Sequence, residues 1–421
     1  MHISPHIYFL CALATTLSMT WLFANTSWEQ AYFLIPLLLL ALLNSVALLW
    51  QQKLGKSVFR YNRQFRWRTV LRQALARYLV WLSIIASAKL LYTQLPFYGT
   101  SSFRANEIFF EYLLMASLYG GFPYFVLTLI FKSSRVEDFY DPAVRIIHIV
   151  KQMGLALFAD KPSTSGAQHT PENPFRVLKN PTNKKVLLNI LMRGYFIPIM
   201  IAQVLANLVS SINIYQSLQA QWQFLSFLVM VSAVLWTTDI VNAALNYGLE
   251  SRWLENRSRS VDLTAGGWLV CFACYAPLNE ITGSFFPFGP HAATGLEQDL
   301  VFSGVVTLTA LKVLEVVLLG FQIYSNVSLG PSIVNVTFKK LQNKGLYSLI
   351  RHPGTTFKLL LWFSQGAFYK QFWTLKFVYG YSMWATLYIL RAFTEERHLQ
   401  KFPEYRQYMQ QVKKRFIPGL F

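Results

Sequence analysis

Acidic side chains are what this chain has least of. Its 421 residues carry 19 Asp and Glu against 38 Lys and Arg, a formal net charge of +19, and charged residues of both signs make up only 14%. A soluble domain has about a quarter of its residues charged, so an ordinary soluble protein is excluded. Cysteine is nearly missing as well. Cys11, Cys271 and Cys274 all lie in apolar stretches, which excludes a disulfide framework. Cys271 and Cys274 form a CxxC within GGWLVCFACYAP, but no second CxxC or His pair completes a zinc site, and they read as buried structural thiols. The first apolar run lacks a basic flank and a small-residue cleavage site, so a retained first helix is expected. No internal repeat is visible.

What is present is apolar: 54% of the residues are hydrophobic and 16% aromatic. A bilayer core is crossed by about twenty apolar helical residues. Stretches near that length occur at 7–25, 31–50, 78–97, 112–131, 187–211, 223–247, 265–287, 301–325, 356–371 and 374–392. The expected fold is an all-α, polytopic transmembrane bundle of about ten spans. The last two spans are short and read as a C-terminal helical hairpin, with Lys370 in FYKQFW snorkelling to an interface.

The positive charge is not spread as a nucleic-acid surface would be. Between Lys53 and Arg77 stand eight Lys or Arg and no acid, flanked by apolar spans. That is the pattern of a cytoplasmic loop beside anionic lipid, and no nucleic-acid partner is expected. Segments 51–77, 132–186, 248–260 and 326–355 are rich in Lys and Arg, whereas 26–30, 98–111, 212–222 and 288–300 contain only Arg104. The alternation puts both termini on the cytoplasmic side of a bacterial inner membrane or the endoplasmic reticulum.

Four segments follow: N-terminal spans with a basic loop (1–131), an interfacial helix and polar loop (132–186), central spans (187–325) and a C-terminal region (326–421). In DPAVRIIHIVKQMGLALF, Ile146, Ile149, Val150, Met153 and Leu157 share one face and Arg145, His148 and Gln152 the other, as in a helix lying on a membrane. KPSTSGAQHTPENP is too polar and Pro-rich to pack and reads as a mobile loop. Within the spans, Asp239, Asn242 and Asn246 recur at helical spacing, and Lys312 and Glu315 stand three apart. Charges inside a membrane face one another or a cavity. These residues are therefore either contacts between helices or the lining of a substrate cavity.

The C-terminal region differs in kind. GLYSLIRHPGTTFK places Arg351 and His352 before Pro353, which stops a helix from running back through His352. Glu395 and Glu396 stand where the last apolar span ends. Both ends of a hairpin return to one membrane face, so these four residues should meet. Two unshielded carboxylates a few Å apart are unfavourable, so a cation, an arginine or a positively charged ligand should share the pocket. An interfacial ion cluster and a ligand pocket both satisfy this reasoning.

Gly345, Tyr347, Arg351, His352, Pro353, the hairpin, Glu395, Glu396, Phe402, Tyr405, Tyr408, Arg415, Ile417 and Pro418, in that order, resemble the isoprenylcysteine carboxyl methyltransferase and phospholipid methyltransferase superfamily. The resemblance covers about 325–421. It implies S-adenosylmethionine bound at the cytosolic face and a lipophilic isoprenoid or lipid acceptor entering from the bilayer. It also implies Arg351, His352, Pro353, Glu395 and Glu396 around the cofactor, with Tyr347 and Tyr405 shaping the walls. The family pattern has an aromatic two residues after the proline and then a small residue; here stand Gly354, Thr355, Thr356, Phe357 and Lys358, with the aromatic displaced to Phe357. An NADPH-dependent reductase of the sterol-reductase type shares the Arg-His-Pro hairpin, and a non-catalytic lipid-binding scaffold accommodates the altered stretch.

Overall fold

A computed structural model describes residues 5–25, 66–95, 104–131, 142–158, 176–248, 257–285, 301, 304–330 and 334–417. The span expected at 31–50 and the loop expected at 161–174 lie outside these residues. The described residues are overwhelmingly helical and fall into two compact units. One comprises Met1–Leu42, Ile199–Leu249 and Thr264–Phe421, the other Leu43–Pro198 and Glu250–Leu263.

Five described helices are long and apolar enough to cross a membrane: Trp67–Gln94, Asn106–Ile130, Pro181–Ala220, Phe224–Gly248 and Val305–Ser328. The chain is thus consistent with a multi-pass membrane protein. In chain order the helices are α1 (Pro5–Ala24), α2 (Trp67–Gln94), α3 (Arg104–Ile130), α4 (Pro142–Phe158), α5 (Arg176–Lys179), α6 (Pro181–Ala220) and α7 (Phe224–Gly248). They continue as α8 (Ala265–Phe272), α9 (Leu278–Phe285), α10 (Val305–Ser328), α11 (Pro353–Ala367), α12 (Leu375–Leu399) and α13 (Pro403–Gln411).

In the second unit, α2 and α3 are antiparallel. Val70 and Ala74 near the start of α2 pack with Leu129 and Ile130 at the end of α3. At the other end the rings of Tyr92 and Phe110 stack at 5.3 Å. The stretch expected to lie in the membrane interface forms the helix α4, with Ile149 buried, Ile146 and Met153 half-buried and Val150 63% exposed. Arg145 on its polar face is tied to the next helices: its Nε donates to Asn183 Oδ1 at 2.5 Å, and Asn183 Nδ2 donates to Val177 O at 2.8 Å.

The first unit holds the C-terminal region. Leu235 of α7, Leu319, Ile323 and Val327 of α10 and Leu361 of α11 form one core cluster, against which Phe9, Ala12 and Leu13 of α1 pack. α7 and α10 run in the same direction. Asp239 meets Asn326, and eight residues on, Tyr247 Oη accepts from the Asn335 backbone N–H at 2.9 Å, just beyond the end of α10.

The span expected at 265–287 is not one helix. It is divided into the eight-residue α8 and α9, with Pro277 just before α9. Proline lacks the N–H that a continuous helix would donate, and its ring collides with the preceding turn. Neither piece approaches the length that crosses a bilayer.

From Pro353 onward the apolar pattern forms α11, a 3-10 turn at Lys370–Trp373, and α12. Trp384, fully buried, packs with Trp362, Tyr388, Phe372 and Cys274. The Tyr381 hydroxyl donates to Leu359 O at 3.1 Å. These contacts hold α11 and α12 side by side and bring Arg351 to Glu396.

Candidate functional site

The first helical turn of α11 decides the local geometry. Pro353 occupies its first position, and His352 before it has φ −124° and ψ 57°, outside the helical region. The backbone N–H groups of Arg351 and His352 are thereby left free of the helix. They donate to Lys414 O at 3.0 Å and Arg415 O at 2.9 Å, so the C-terminal tail is tied to the Arg-His-Pro turn. Thr356 Oγ1 adds a bond to Phe416 O at 3.0 Å, and the Tyr408 hydroxyl donates to Tyr347 O at 2.6 Å.

Glu396 is the hub of this latch. Oε1 accepts from Arg351 Nε at 2.6 Å and from His352 Nε2 at 3.1 Å; Oε2 accepts from Arg351 Nη2 at 3.3 Å and Arg415 Nε at 3.0 Å. Arg351 Nη1 is also spent, on Val412 O and Lys413 O at 2.8 Å each. Burial alone would push the Glu396 carboxyl up, but the hydrogen bonds from His352 and Arg351 hold it down to about 2. It is therefore ionised at neutral pH and can only accept, which places a hydrogen on His352 Nε2.

The expected pairing of the two glutamates does not occur. They are adjacent on one helix, so their side chains diverge by about 100°. Glu396 is buried at 1% exposure whereas Glu395 is exposed. Glu395 makes no hydrogen bond or ion pair with a described residue. It lies within electrostatic reach of Tyr347, whose hydroxyl is pushed well up by burial first and by Glu395 second. The Tyr405 hydroxyl is likewise raised, by burial and then by Glu396 and Glu395. Arginines do share the site, but Arg351 and Arg415 both serve Glu396 alone of the two carboxylates.

The residues expected to line one substrate cavity separate into two places. Lys312 Nζ donates to Glu315 Oε2 at 3.1 Å, so this pair neutralises itself. Asp239 Oδ2 accepts from Asn326 Nδ2 at 3.1 Å, and Asn326 is eleven residues beyond Glu315 on α10. At 1.5 Å per residue that is about 16 Å along the axis. Asn242 is buried one turn beyond Asp239, and its backbone oxygen accepts from Asn246 Nδ2 at 2.8 Å.

Around Asp239 the structure assembles groups that sequence reasoning did not place there. Lys358 of α11 and Arg391 of α12 lie within electrostatic reach of each other, and Lys358 also of Asp239. Lys358 Nζ stands 5.0 Å from the Tyr388 ring and 6.0 Å from Trp362. The Arg391 guanidinium lies 5.3 Å from Tyr275 and 5.7 Å from Tyr388 and donates to Asn335 Oδ1. Asp239, Asn326, Asn335, Lys358 and Arg391, all in the first unit, are half-buried rather than sealed. The signal in the sequence was a lysine and an arginine inside the two apolar runs of 356–371 and 374–392. Only the tertiary fold brings Lys358 within electrostatic reach of both Asp239 and Arg391.

No protein-family model, no curated protein and no solved structure matches this chain. The site's chemistry therefore rests on its own residues. Among the described residues, no group of three or more His, Cys, Asp or Glu side chains is placed to hold a metal ion. Phe357, the displaced aromatic, stacks on Phe321 at 4.9 Å and 21° between planes, which commits it to packing α11 on α10.

Proposed function

We propose that this protein is an integral membrane methyltransferase that uses S-adenosylmethionine and acts on a lipophilic acceptor at the cytoplasmic membrane face. The observation that supports it most directly is the exposed carboxylate of Glu395, which pairs with no described residue and lies within electrostatic reach of Tyr347, next to a latch that holds the C-terminal tail in place. The cofactor supplies a methyl group on a sulfonium. Its ammonium and ribose hydroxyls are donors that a free carboxylate can accept. Glu395, with Tyr347 and Tyr405 as walls, is the set that fits them.

The ordered motif from Gly345 to Pro418 then divides by role. Arg351, His352, Pro353 and Glu396 position the cofactor's surroundings through the latch rather than by touching the ligand, since both carboxylate oxygens of Glu396, Nε and Nη1 of Arg351 and Nε2 of His352 are already engaged. In this reading α11 and α12 form a hairpin with both ends cytosolic, within a bundle of about ten spans. A recess of low water content strengthens the electrostatics of a charge-dispersing transfer and fixes donor and acceptor in line.

Isothermal titration of the detergent-purified protein with S-adenosylhomocysteine should give micromolar or tighter affinity, about −8 kcal/mol, and none for NADPH. Glu395→Gln should weaken binding roughly ten- to a hundred-fold, the worth of one charge-assisted hydrogen bond. Heat with NADPH alone would favour a reductase. Silence from both would favour a non-catalytic scaffold, a reading consistent with the internally satisfied latch. Topology is a separate test. A cysteine placed at Ser348 should be shielded from labelling by a cytosolic quencher, and labelling from the outer face would break the proposed arrangement.

A further inference from the structure

A helix outside the ordered residues Gly345 to Pro418 reaches the turn with which they begin. His6, in the first turn of α1, touches Tyr324 of α10, 318 residues further along the chain. His6 Nδ1 and the Tyr324 hydroxyl are in hydrogen-bond contact at 3.1 Å, and the two rings stack at 5.4 Å with 19° between planes. Phe9, three residues on, meets the same tyrosine ring edge-on at 5.6 Å. A ring packed by two others, with its hydroxyl bonded, is confined to one rotamer. α1 therefore fixes where that hydroxyl stands.

The hydroxyl stands against Gly345. A Cβ on this glycine would come within 2.6 Å of Tyr324 Oη, so backbone and phenol are in close contact. Gly345 has φ +62° and opens the 3-10 turn Gly345–Ser348, which carries Tyr347. Ser348 Oγ donates to Gly345 O at 2.7 Å, and the amides of Leu349 and Ile350 donate to Leu346 O at 3.1 and 3.2 Å. The Tyr408 hydroxyl donates to Tyr347 O at 2.6 Å. The turn is thus held by the tail through Tyr408 and by α1 through Tyr324, all within the first unit.

His6 is exposed, whereas Phe9, Ala12 and Leu13 pack α1 onto the core. Seating the helix falls to those apolar residues, and the contacts of His6 are directional.

We propose that His6 is a positioning residue for the Gly345–Ser348 turn: it holds the Tyr324 hydroxyl against Gly345 and so sets the place of Tyr347. What the turn serves rests on the methyltransferase reading, in which Tyr347 walls the cofactor. That His6 sets the turn does not rest on it.

The test uses the full-length protein in detergent, with amide hydrogen exchange and titration of S-adenosylhomocysteine on the same samples. His6→Ala should speed exchange at Leu349 and Ile350 roughly ten-fold, the combined worth of one hydrogen bond and one ring stack. The amides of Arg351 and His352, bonded to Lys414 and Arg415, should keep their rates. Affinity for S-adenosylhomocysteine should fall by a similar factor. His6→Asn, whose carboxamide can serve the hydroxyl as donor or acceptor, should recover part of both. Tyr324→Phe removes the same bond from the other side and should speed exchange at the two amides roughly five-fold. Unchanged rates at Leu349 and Ile350 in both His6→Ala and Tyr324→Phe overturn the proposal. An equal rise throughout α1 and α10 also overturns it, since His6 would then only hold α1 in place. If His6→Ala does not fold, His6→Asn and Tyr324→Phe still decide it. If the unaltered protein binds no S-adenosylhomocysteine, the methyltransferase reading fails, and exchange at the turn alone upholds or overturns the role of His6.

Discussion

Glu396→Gln should destabilise the C-terminal region by about 3–5 kcal/mol, the cost of leaving a buried ion-pair partner uncompensated. Arg351 is 6% exposed and Glu396 1%, so neither can recover its lost partner from water. The amide keeps the shape but presents an NH2 to donors from Arg351, His352 or Arg415, where the carboxylate accepted from all three. The tail should come loose as a unit. Hydrogen exchange should rise at the backbone amides of Arg351 and His352, which donate to Lys414 and Arg415. Melting temperature in detergent and exchange on the same sample check this, with Glu395→Gln as the control. The exposed neighbour should leave both unchanged. Equal effects of the two substitutions would mean that the latch is not centred on Glu396.

Acid should reproduce the effect. The Glu396 carboxyl lies at about 2 against an ordinary 4.5, because the hydrogen bonds from His352 and Arg351 outweigh the upward push of burial. A carboxylate with a depressed pKa contributes stability that is complete above about pH 4.5 and disappears as pH falls to about 2. The contribution is on the order of 3 kcal/mol. Glu396→Gln should flatten the stability profile across that window.

Gly345→Ala should cost about 2–5 kcal/mol. Gly345 has φ +62°, a left-handed conformation that costs a residue with Cβ about 1–2 kcal/mol. A Cβ there would also come within 2.6 Å of the Tyr324 hydroxyl, and overpacking of this kind costs about 1–3 kcal/mol. Tyr324 is not free to move cheaply, since its hydroxyl bonds His6 Nδ1 at 3.1 Å and its ring stacks on His6 at 5.4 Å. Adding Tyr324→Phe should relieve the collision and leave the backbone strain, so the double variant should recover part of the loss. Denaturation of the single and double variants measures both parts. A full recovery would show that the left-handed conformation contributes nothing, and no recovery that the hydroxyl does not obstruct.

What could be read from residues alone were features fixed by neighbours along the chain. Pro353 starts α11 because its ring sets φ and leaves no N–H to continue the helix backward. Lys312 and Glu315 pair because three residues bring side chains onto one helical face. The long apolar helices follow from composition and length, since only a self-bonded backbone is tolerated in hydrocarbon. The break at Pro277 was legible by the same rule and was overridden by the apolar run around it. Tertiary structure alone decided which of two adjacent glutamates turns inward. Both lie at the same depth in sequence, and the difference is set by where Arg351, His352 and Arg415 stand across the fold. It also decided that Asp239 and Lys358, from helices more than a hundred residues apart, come within electrostatic reach of each other. Periodicity places a charge on a face of its own helix; which charge it meets is settled only when the helices pack.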